Sequence, residues 1–463
     1  MQGEITHTIS GSASACEVSL WCPHESVRMS DVLFARSQMA MSLAFHIVFA
    51  ALGIGMPLLM AIAEGLYLRT GHPVYLDLSK RWARGTAILF AVGAVSGTVL
   101  SFELGLLWPR FMEKAGALIG MPFSLEGFAF FTEAIFIGMY LYGWKRLSPF
   151  LHWLSGLLVC VSGVFSGIFV VMANAWMNSP VGFTLLDGRM TEIDPIAAML
   201  NPASLHEVVH MTLAAFVATG FAVAAVHAWR LLRDRNSRFD QYALGIALTV
   251  ACLSIPLQLV SGHHSAQAVS RLQPVKLAAM EAHYRTQTEA PLRIGGIPND
   301  TMGTLDYAFS IPRALSFLLT ANPHAEVLGL EEFPRDTWPN VWVVHWAFDF
   351  MVSAGFVMLG LAVWSVWLKG MRRQPSNHPS LLRALVAAGP LGFLAIEAGW
   401  VVTEVGRQPW VIYGVLRTEE AVTPMPWIAV PFFAFTALYL FLTVIVVILL
   451  RRQFLETPGV SPE

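Results

Sequence analysis

The sequence predicts an all-α integral membrane protein with nine transmembrane helices. Hydrophobic residues make up 55% of the 463-residue chain and charged residues only 13%, about half the charged share of an ordinary soluble domain. Nine apolar stretches each reach the length of about 20 residues that a membrane helix needs. Lys and Arg are divided unevenly between the connections, which gives the bundle an orientation. The net charge of −2 gives no basic field for nucleic acid.

Residues 1–28 differ from the rest of the chain. They are polar and lack the basic and then apolar order of a secretory signal. Met29-Ser30-Asp31 then opens a second credible start. We therefore expect 1–28 to be a non-native or disordered N-terminal extension and 29–463 to be a single membrane domain.

The four cysteines exclude one kind of cofactor attachment. Cys16, Cys22, Cys160 and Cys252 form no Cys-x-x-Cys pair and no Cys-x-x-Cys-His motif. Covalently attached c-type haem is therefore not supported. Cys160 and Cys252 lie in apolar spans, where packing is the expected role.

The spans follow one another along almost the whole chain. They are expected at 40–67, 83–108, 123–144, 152–176, 205–229, 242–262, 341–367, 382–403 and 426–450. The last span has no ionisable residue between Pro426 and Leu450, so it is expected to face lipid or a partner. The connection at about 263–340 is the longest, and connections of this length are usually functional or disordered.

The basic residues predict the orientation. With the N-terminus outside, 16 of the 29 Lys and Arg fall in the inner segments. Six more lie in the long outer loop, which the positive-inside rule discounts because of its length. The N-terminus is therefore predicted outside and the C-terminus in the cytoplasm.

Polar residues inside the spans gather toward the outer side. A charged side chain at a helix centre costs roughly 2.5–3.5 kcal/mol on insertion scales, so such residues are usually functional. The outer set is His46, Glu103, Glu126, Glu133, His210, Asp349, Glu397 and Glu404. Glu64 and His227 sit at inner ends, where they can reach the interface. The outer set indicates a cofactor-bearing redox site or an ion path.

Individual residues leave alternatives open. His46 and His210 are candidates for haem ligands or proton carriers, against a structural role for a satisfied histidine. Met351 could complete a six-coordinate haem with His210, although a methionine in a span is packing by default. Glu126 and Glu133 share one face of span 3 and form either a proton path or a buried, satisfied pair.

The segment from Glu397 to Trp410 is the densest in polar and aromatic residues, and it ends in Glu404-Val405-Gly406-Arg407-Gln408-Pro409-Trp410. Arg407 could hold a haem propionate bidentately, Trp400 could lie on a ring edge, and Glu404 could ligate iron or carry a proton. The alternative is an interfacial anchor of Trp and Arg at headgroup level. Glu103 and Glu397 could equally be satisfied by packing.

Together these segments resemble subunit I of the cytochrome bd-type quinol oxidases. The resemblance covers nearly the whole chain from Met29. It is carried by Gly399-Trp400 with Glu404 to Trp410, by Leu125-Glu126-Gly127 with Phe130-Phe131-Thr132-Glu133, by Ala173-Asn174-Ala175-Trp176-Met177, by Lys276-Leu277-Ala278-Ala279-Met280-Glu281, and by the surroundings of His46, His210 and Met351. Nine spans with the N-terminus outside is also the topology of that subunit.

The resemblance implies a role for each candidate. His210 and Met351 would ligate a low-spin haem b, and His46 and Glu404 would each serve one of two high-spin haems. The cofactors would be two haem b and one haem d, or a third haem b in place of haem d. Glu126 and Glu133 would supply protons near the oxygen site. Arg407 and Trp400 would contact haem. Lys276 and Glu281, in the outer loop, would bind quinol.

Two departures from the family stand out. The family often has Arg two residues before the ligand methionine, whereas this chain has Asp349. That change removes a positive charge beside the low-spin haem. The outer loop is also short, with no long insertion after Thr320, which favours the cyanide-insensitive branch of the family.

The resulting hypothesis is a terminal quinol oxidase of the bacterial cytoplasmic membrane. Quinol would be oxidised at the outer face and O₂ reduced to water with inner protons, so charge is separated across the lipid bilayer. Subunit II and a small single-span subunit are the expected protein partners. Glu133 is the innermost proton-carrying group that the sequence supports. The rival hypotheses are a proton-coupled secondary transporter, for which no inverted repeat is visible, and a haem electron conduit without oxygen chemistry.

Overall fold

The computed structural model describes residues 23–422 and 427–455. Cys16, Cys22 and most of the predicted N-terminal extension lie outside the described residues. Helix α1 begins at Pro23. It therefore includes the last residues of that extension and runs without interruption into the first span.

Fourteen α-helices occur in the described chain, and together they account for the predicted all-α class. They are α1 (Pro23–Thr70), α2 (Pro73–Leu107), α3 (Pro109–Tyr142), α4 (Pro149–Asn178), α5 (Pro195–Met199), α6 (Ser204–Arg233), α7 (Arg238–Leu272), α8 (Pro274–Met280), α9 (Ala314–Thr320), α10 (Val341–Gly370), α11 (Pro379–Ala388), α12 (Leu391–Val405), α13 (Thr418–Ala421) and α14 (Ala429–Leu455). Among the described residues nine spans are long and apolar enough to cross a membrane. The predicted number of spans is confirmed.

Several helices are longer than the apolar patterns predicted. The third span was predicted from residue 123, yet α3 already begins at Pro109, directly after the break at Trp108. Proline at the first helical position lacks only a donor that would be unpaired anyway, so it starts a helix readily. Helix α7 continues to Leu272, ten residues past the predicted end at 262. Its 35 residues span about 52 Å, more than the roughly 30 Å hydrocarbon core, so its polar end is helical outside the membrane.

The eighth span is built from two helices in line. Helix α11 ends at Ala388 and α12 starts at Leu391, and the break lies at Gly389-Pro390. At Gly392 a Cβ would lie 2.9 Å from that of Ala218 on α6. The absence of a side chain at Gly392 therefore lets α12 approach α6 closely and positions the outer half of this span.

The long connection is folded instead of disordered. It contains six short strands, β3 (Gln287–Thr288), β4 (Leu292–Ile294), β5 (Ile297–Asn299), β6 (Thr304–Asp306), β7 (Phe309–Ile311) and β8 (Glu326–Val327). Two hairpins lie elsewhere in the described chain, formed by β1 (Thr184–Leu186) with β2 (Arg189–Thr191) and by β9 (Trp410–Ile412) with β10 (Leu416–Arg417). The strands pair as two-stranded antiparallel sheets, β1 with β2, β3 with β8, β4 with β7, β5 with β6 and β9 with β10. Short 3₁₀ turns at Leu330–Glu332 and Arg335–Thr337 precede α10. A buried cluster that includes Leu277, Leu315, Leu330 and Val344 joins this layer to α10.

Candidate cofactor-binding site

A large cavity opens where α6, α7, α10 and α12 meet beneath the folded connection at 273–340. This connection is called the outer segment, because the sequence predicts it outside. Its volume is about 780 Å³, within the range of ordinary ligand and cofactor pockets. Five residues predicted from the sequence line it together: His210, Met351, Trp400, Lys276 and Glu281. The cavity therefore brings together side chains that lie up to 190 residues apart in the chain.

His210 and Met351 reach the cavity from opposite helices. His210 lies two turns into α6, where Gln258 on α7 places its amide nitrogen 3.1 Å from Nε2. The Met351 sulfur lies over Gly399 on α12, where an added Cβ would be only 3.1 Å from Sδ. Glycine at that position makes room for the thioether. This contact explains why the Gly399-Trp400 motif needs a glycine at its first position.

A buried polar network adjoins the cavity around Glu404. Asn174 donates to Glu404 Oε1 over 2.6 Å, and the Arg407 guanidinium donates to Oε2. Arg407 is only 1% exposed, and its Nε has no hydrogen-bond partner among the described residues. One side of Glu404 stays open, since its side chain is 30% exposed. The network therefore holds a carboxylate with a free approach beside a guanidinium with a spare donor.

Asn178 connects this network to the outer segment. Its Oδ1 accepts from Lys276 Nζ over 2.9 Å and from Arg407 Nη1 over 3.2 Å. Its amide nitrogen donates to Glu207 Oε1 over 3.0 Å. Gln273 in turn donates to the Asn178 backbone carbonyl over 2.7 Å. One asparagine thus holds two cations and one carboxylate in a fixed arrangement.

Sequence reasoning assigned no role to several of these residues. Asn174 was noticed only as part of a matching segment, and Asn178, Gln273, Glu207 and His206 were not singled out. Glu207 and His206 lie in the first turn of a span, where polar residues are common because they interact with the helix terminus. The sequence therefore gave no reason to single them out. In the described chain both ring nitrogens of His206 are buried without a partner, and the ring lines the cavity.

His46 lies against α2, apart from the cavity. Its Nδ1 is 2.9 Å from the Ser96 hydroxyl, and that hydroxyl donates to the Val92 carbonyl over 3.0 Å. Since the hydroxyl hydrogen is used there, Ser96 can only accept from Nδ1–H. The lone pair of His46 is therefore left on Nε2. Gly97 lies under the ring, where a Cβ would come 3.0 Å from Cε1.

Glu126 and Glu133 both face α4, as their spacing of seven residues predicts. Ser166 on α4 interacts with Glu126. The Glu133 carboxylate packs against Gly163, whose added Cβ would lie 3.3 Å from Oε1. Glu133 is 5% exposed. The two carboxylates therefore line one seam between α3 and α4.

Glu103 and Glu397 have different surroundings. Gln38 and Ser42 on α1 donate to Glu103 Oε1 over 3.0 and 2.9 Å. Glu103 therefore links α1 and α2 through Oε1, while its Oε2 is buried without a partner in the described part of the chain. Glu397 keeps a buried Oε1 without a partner in the described part of the chain. Each of the two carboxylates therefore keeps one buried, unpaired oxygen, and Glu103 is in addition tied to α1.

The two outer residues predicted to bind quinol are buried. Lys276 is 3% and Glu281 6% exposed. Burial and the neighbouring Arg407 guanidinium lower the pKa of Lys276 to about 7. Burial and the Asp349 carboxylate raise the pKa of Glu281 to about 8. Both groups can therefore exchange protons near neutral pH.

Asp349 ties the outer segment to α10. Its Oδ2 accepts from the Gly295 backbone nitrogen over 2.6 Å. Gly295 has a positive φ of 65°, a conformation that glycine adopts without strain. The neighbouring His345 contacts the carbonyls of Met280 and Gly295 at 2.8 and 3.2 Å. Asp349 therefore provides an acceptor that holds the loop over the cavity.

Comparisons with known proteins agree on one family. The family described as cytochrome bd terminal oxidase subunit I matches residues 34–458. A putative cytochrome bd menaquinol oxidase subunit I from Bacillus subtilis is 38% identical over 93% of this chain and 98% of its own length. A cytochrome bd ubiquinol oxidase subunit 1 from the same organism is 33% identical over 92% of this chain and 94% of its own.

A solved structure shows the same arrangement of helices. The bd oxidase from Geobacillus thermodenitrificans superimposes with a TM-score of 0.88 at 38% sequence identity. The match covers 92% of this chain and 99% of that chain.

Proposed function

This chain belongs to the cytochrome bd terminal oxidase subunit I family, and from that premise we propose how its residues hold haem and handle protons. It is the catalytic subunit of a quinol:oxygen oxidoreductase and a multi-pass protein of the bacterial inner membrane. It works with haem, a second subunit, quinol and O₂. The family match favours neither the transporter nor the electron-conduit alternative.

The low-spin site is assigned to His210 and Met351. The observation that carries this assignment is that the two side chains line one cavity from different helices. Gly399 leaves room for the sulfur, and His206 offers two unpartnered ring nitrogens at the same cavity. Bound haem would supply the electron transfer from quinol to oxygen. The protein residues orient it, and the thioether favours the reduced form.

The two high-spin sites are assigned to His46 and Glu404. His46 presents Nε2 because Ser96 fixes the other nitrogen as a donor. Glu404 presents an open side while Asn174 and Arg407 orient its carboxylate. The spare Nε of Arg407 suits a propionate, which a guanidinium binds well. The proposed set is two haem b with one haem d, or with a third haem b.

Replacing Gly97 by Ala should disturb the His46 site. The new Cβ would crowd Cε1 at 3.0 Å, so the ring must shift by a few tenths of an ångström. We expect the high-spin haem signal to fall and oxygen uptake to drop by about tenfold, as for other residues that orient a metal ligand. The reduced-minus-oxidised spectrum and an oxygen electrode measure both.

Gly105→Ala is the matched control on the same helix. No atom outside the local helix backbone lies within 4 Å of its added Cβ in the described structure. Its spectrum and turnover should match the parent protein. Equal losses in the two variants would contradict the proposed contact between Gly97 and the ligand.

Quinol is proposed to dock at the cavity mouth beside Lys276 and Glu281. Each proton released from quinol needs an acceptor near the outer face. Burial and the neighbouring Asp349 raise the pKa of Glu281 to about 8. Glu281 is therefore mostly ionised, and able to accept a proton, only above that pH. Lys276 is held by Asn178 and provides a polar contact for a quinol oxygen.

The rate of quinol oxidation should therefore rise with pH through about 8. Below that pH Glu281 is mostly protonated and cannot accept, because its pKa is raised to about 8. Glu281→Gln should lower the rate and remove this rise, leaving a flat profile between pH 7 and 9. Stopped-flow haem reduction by a soluble quinol across pH measures the effect. A rise that persists in Glu281→Gln would assign the titration to another group.

The proposed orientation places the cavity near the outer face. The ends of α1, α3, α6 and α10 then lie at the cytoplasmic side, where the basic residues concentrate. Quinol protons leave outside while water protons come from inside, so turnover separates charge. A small single-span subunit is a further proposed partner, alongside subunit II.

One preparation tests the assignment as a whole. The protein is purified with subunit II, and its haems are counted by reduced-minus-oxidised spectra. We expect a low-spin b-type signal with high-spin features, and a chlorin-type band identifies haem d as opposed to a third haem b. A complex without haem, or one that does not consume O₂ with a soluble quinol, would overturn the proposal.

A further inference from the structure

A buried glutamate–histidine pair lies at the opposite end of the bundle from the cavity. Glu64 is on α1, six residues before that helix ends, and His152 is three residues after the start of α4. The His152 Nδ1 is 2.7 Å from Glu64 Oε1, and each side chain is 4% exposed. At 1.5 Å per residue, the pair lies within about 5–9 Å of the helix ends. The pair is therefore buried yet close to the surface.

Hydrogen-bond geometry shows that this pair holds one proton. His152 Nε2 lies 2.9 Å from the Tyr140 backbone carbonyl, which can only accept, so Nε2 carries its hydrogen. The short contact at Nδ1 then contains a single proton. That proton belongs either to an imidazolium beside a carboxylate or to a glutamic acid beside a neutral imidazole.

The pair also has an unused acceptor. Glu64 Oε2 and the Tyr140 hydroxyl are both buried without a hydrogen bond of ordinary geometry in the described chain, and the hydroxyl lies close enough to interact with the Glu64 carboxylate. Burying such polar atoms unpaired is costly and rare in proteins. Oε2 is therefore the atom of the pair that can take up a further proton.

The groups around the pair are two aromatic rings, two serines and one lysine. The Tyr140 and Trp144 rings flank the imidazole at 4.4 and 4.0 Å between centroids. Lys80 on α2 lies over the Trp144 ring, 5.4 Å from its centroid. Ser155 donates to the His152 backbone carbonyl, and the Tyr140 hydroxyl interacts with Glu64 and with Ser79 on α2. No second carboxylate among the described residues hydrogen-bonds to the pair.

The pair continues the row of carboxylates between α3 and α4. Tyr140, Glu133 and Glu126 follow at intervals of seven residues along α3, which is about 10 Å per step. Tyr140 packs against Gly156 as Glu133 packs against Gly163 on α4. A line of titratable groups therefore runs along one seam, from the inner helix ends toward the outer half of the bundle.

We propose that Glu64 and His152 form the proton-loading pair at the inner end of this seam and deliver protons toward Glu133. A proton arriving from the inner face binds Glu64 Oε2, and the proton already shared with His152 leaves toward Glu133. One proton enters and one leaves, so the pair returns to its starting state. Water molecules must carry the proton along the seam, which rises about 10 Å from Tyr140 to Glu133. This inference rests on the proposed function, because oxygen reduction consumes the protons.

A second inner pair provides the comparison. His227 Nδ1 lies 2.8 Å from Asp240 Oδ1, and Ser237 donates to Oδ2 over 2.5 Å. Arg230 also donates to Oδ1 over 2.8 Å. Both oxygens of Asp240 are therefore occupied. This pair lies on α6 and α7, away from the α3–α4 seam, so Asp240→Asn should leave proton delivery intact.

The test compares Glu64→Gln, Glu64→Asp and Asp240→Asn in the purified complex with subunit II. Reduction of the haems by quinol without O₂ needs no inner proton and should be unchanged in all three. Steady-state oxygen uptake should fall by about tenfold or more in Glu64→Gln, because water replaces a positioned proton-transfer group poorly. Glu64→Asp should recover most of the rate. The slow variant should also show a larger solvent deuterium effect.

Two results would overturn the inference. Oxygen uptake in Glu64→Gln that equals that of the parent would exclude the pair from proton delivery, while an active parent enzyme would leave the proposed function standing. If Glu64→Gln fails to retain haem, His152→Asn replaces it in the same measurements. Loss of haem in both variants would assign the pair a purely structural role.

Discussion

Met351→Leu should convert the low-spin haem to a high-spin state and nearly abolish quinol-driven oxygen uptake. Leucine fills a similar volume but has no sulfur lone pair, so the iron loses one axial ligand while packing is little changed. The thioether also keeps the potential high. A fall of about 60 mV in a one-electron potential makes reduction tenfold less favourable. Low-temperature EPR and a redox titration of the purified complex measure the ligation and the potential.

Met358→Leu is the control for this variant. Met358 is on the same face of α10, seven residues further in, and it also lines the cavity. Gly399 makes room at the sulfur of Met351, and no glycine among the described residues has its added Cβ against Met358. The Met358→Leu variant should therefore retain the low-spin signal. A low-spin spectrum that survives in Met351→Leu and disappears in Met358→Leu would move the assignment to Met358.

Much of the fold was predictable because the bilayer imposes simple rules. Nine apolar stretches of sufficient length gave nine spans, and that number is confirmed. The boundaries were predicted less well, since hydropathy marks where hydrocarbon ends and not where a helix ends. Helix α7 therefore continues to Leu272, and α3 begins at Pro109. The folding of the outer segment on α10 depends on contacts such as Asp349 with Gly295, which are too distant in sequence to be inferred.

The candidate site shows a similar division. Charged and titratable residues in apolar spans, such as His210 and Glu404, stand out because burying them is costly. Neutral amides do not stand out, and so Asn174 and Asn178 were left without a role although they organise the polar network. Glu64 was set aside because it lies near a helix end. The structure instead shows it buried and bonded to His152, a partner that sequence distance concealed.

Glu404→Gln should remove one high-spin haem ligand and lower oxygen reduction by on the order of 100-fold or more. The amide keeps the size of the side chain, and Asn174 can still donate to its oxygen. The negative charge is lost, however, and Arg407 is only 1% exposed. Leaving such a cation unpaired costs about 3–5 kcal/mol when both partners are buried. Glu404 is partly exposed, so the lower end of that range is expected.

Two measurements, thermal stability and bound high-spin haem, separate the ligand role of Glu404 from its role as the partner of Arg407. Arg407→Gln keeps the carboxylate and breaks the same ion pair, so it should lower thermal stability and loosen the propionate contact proposed for Arg407, while the high-spin haem keeps its carboxylate ligand. Glu404→Gln should lower both thermal stability and bound haem. Asp336→Asn breaks the exposed pair with Arg417, which is worth only about 0–1 kcal/mol, and should change neither. If Arg407→Gln and Glu404→Gln lost haem equally, the charge balance at the site and not the carboxylate ligand would govern haem retention. Haem loss confined to Glu404→Gln would place the iron contact on the carboxylate itself, because that variant alone removes the ligand.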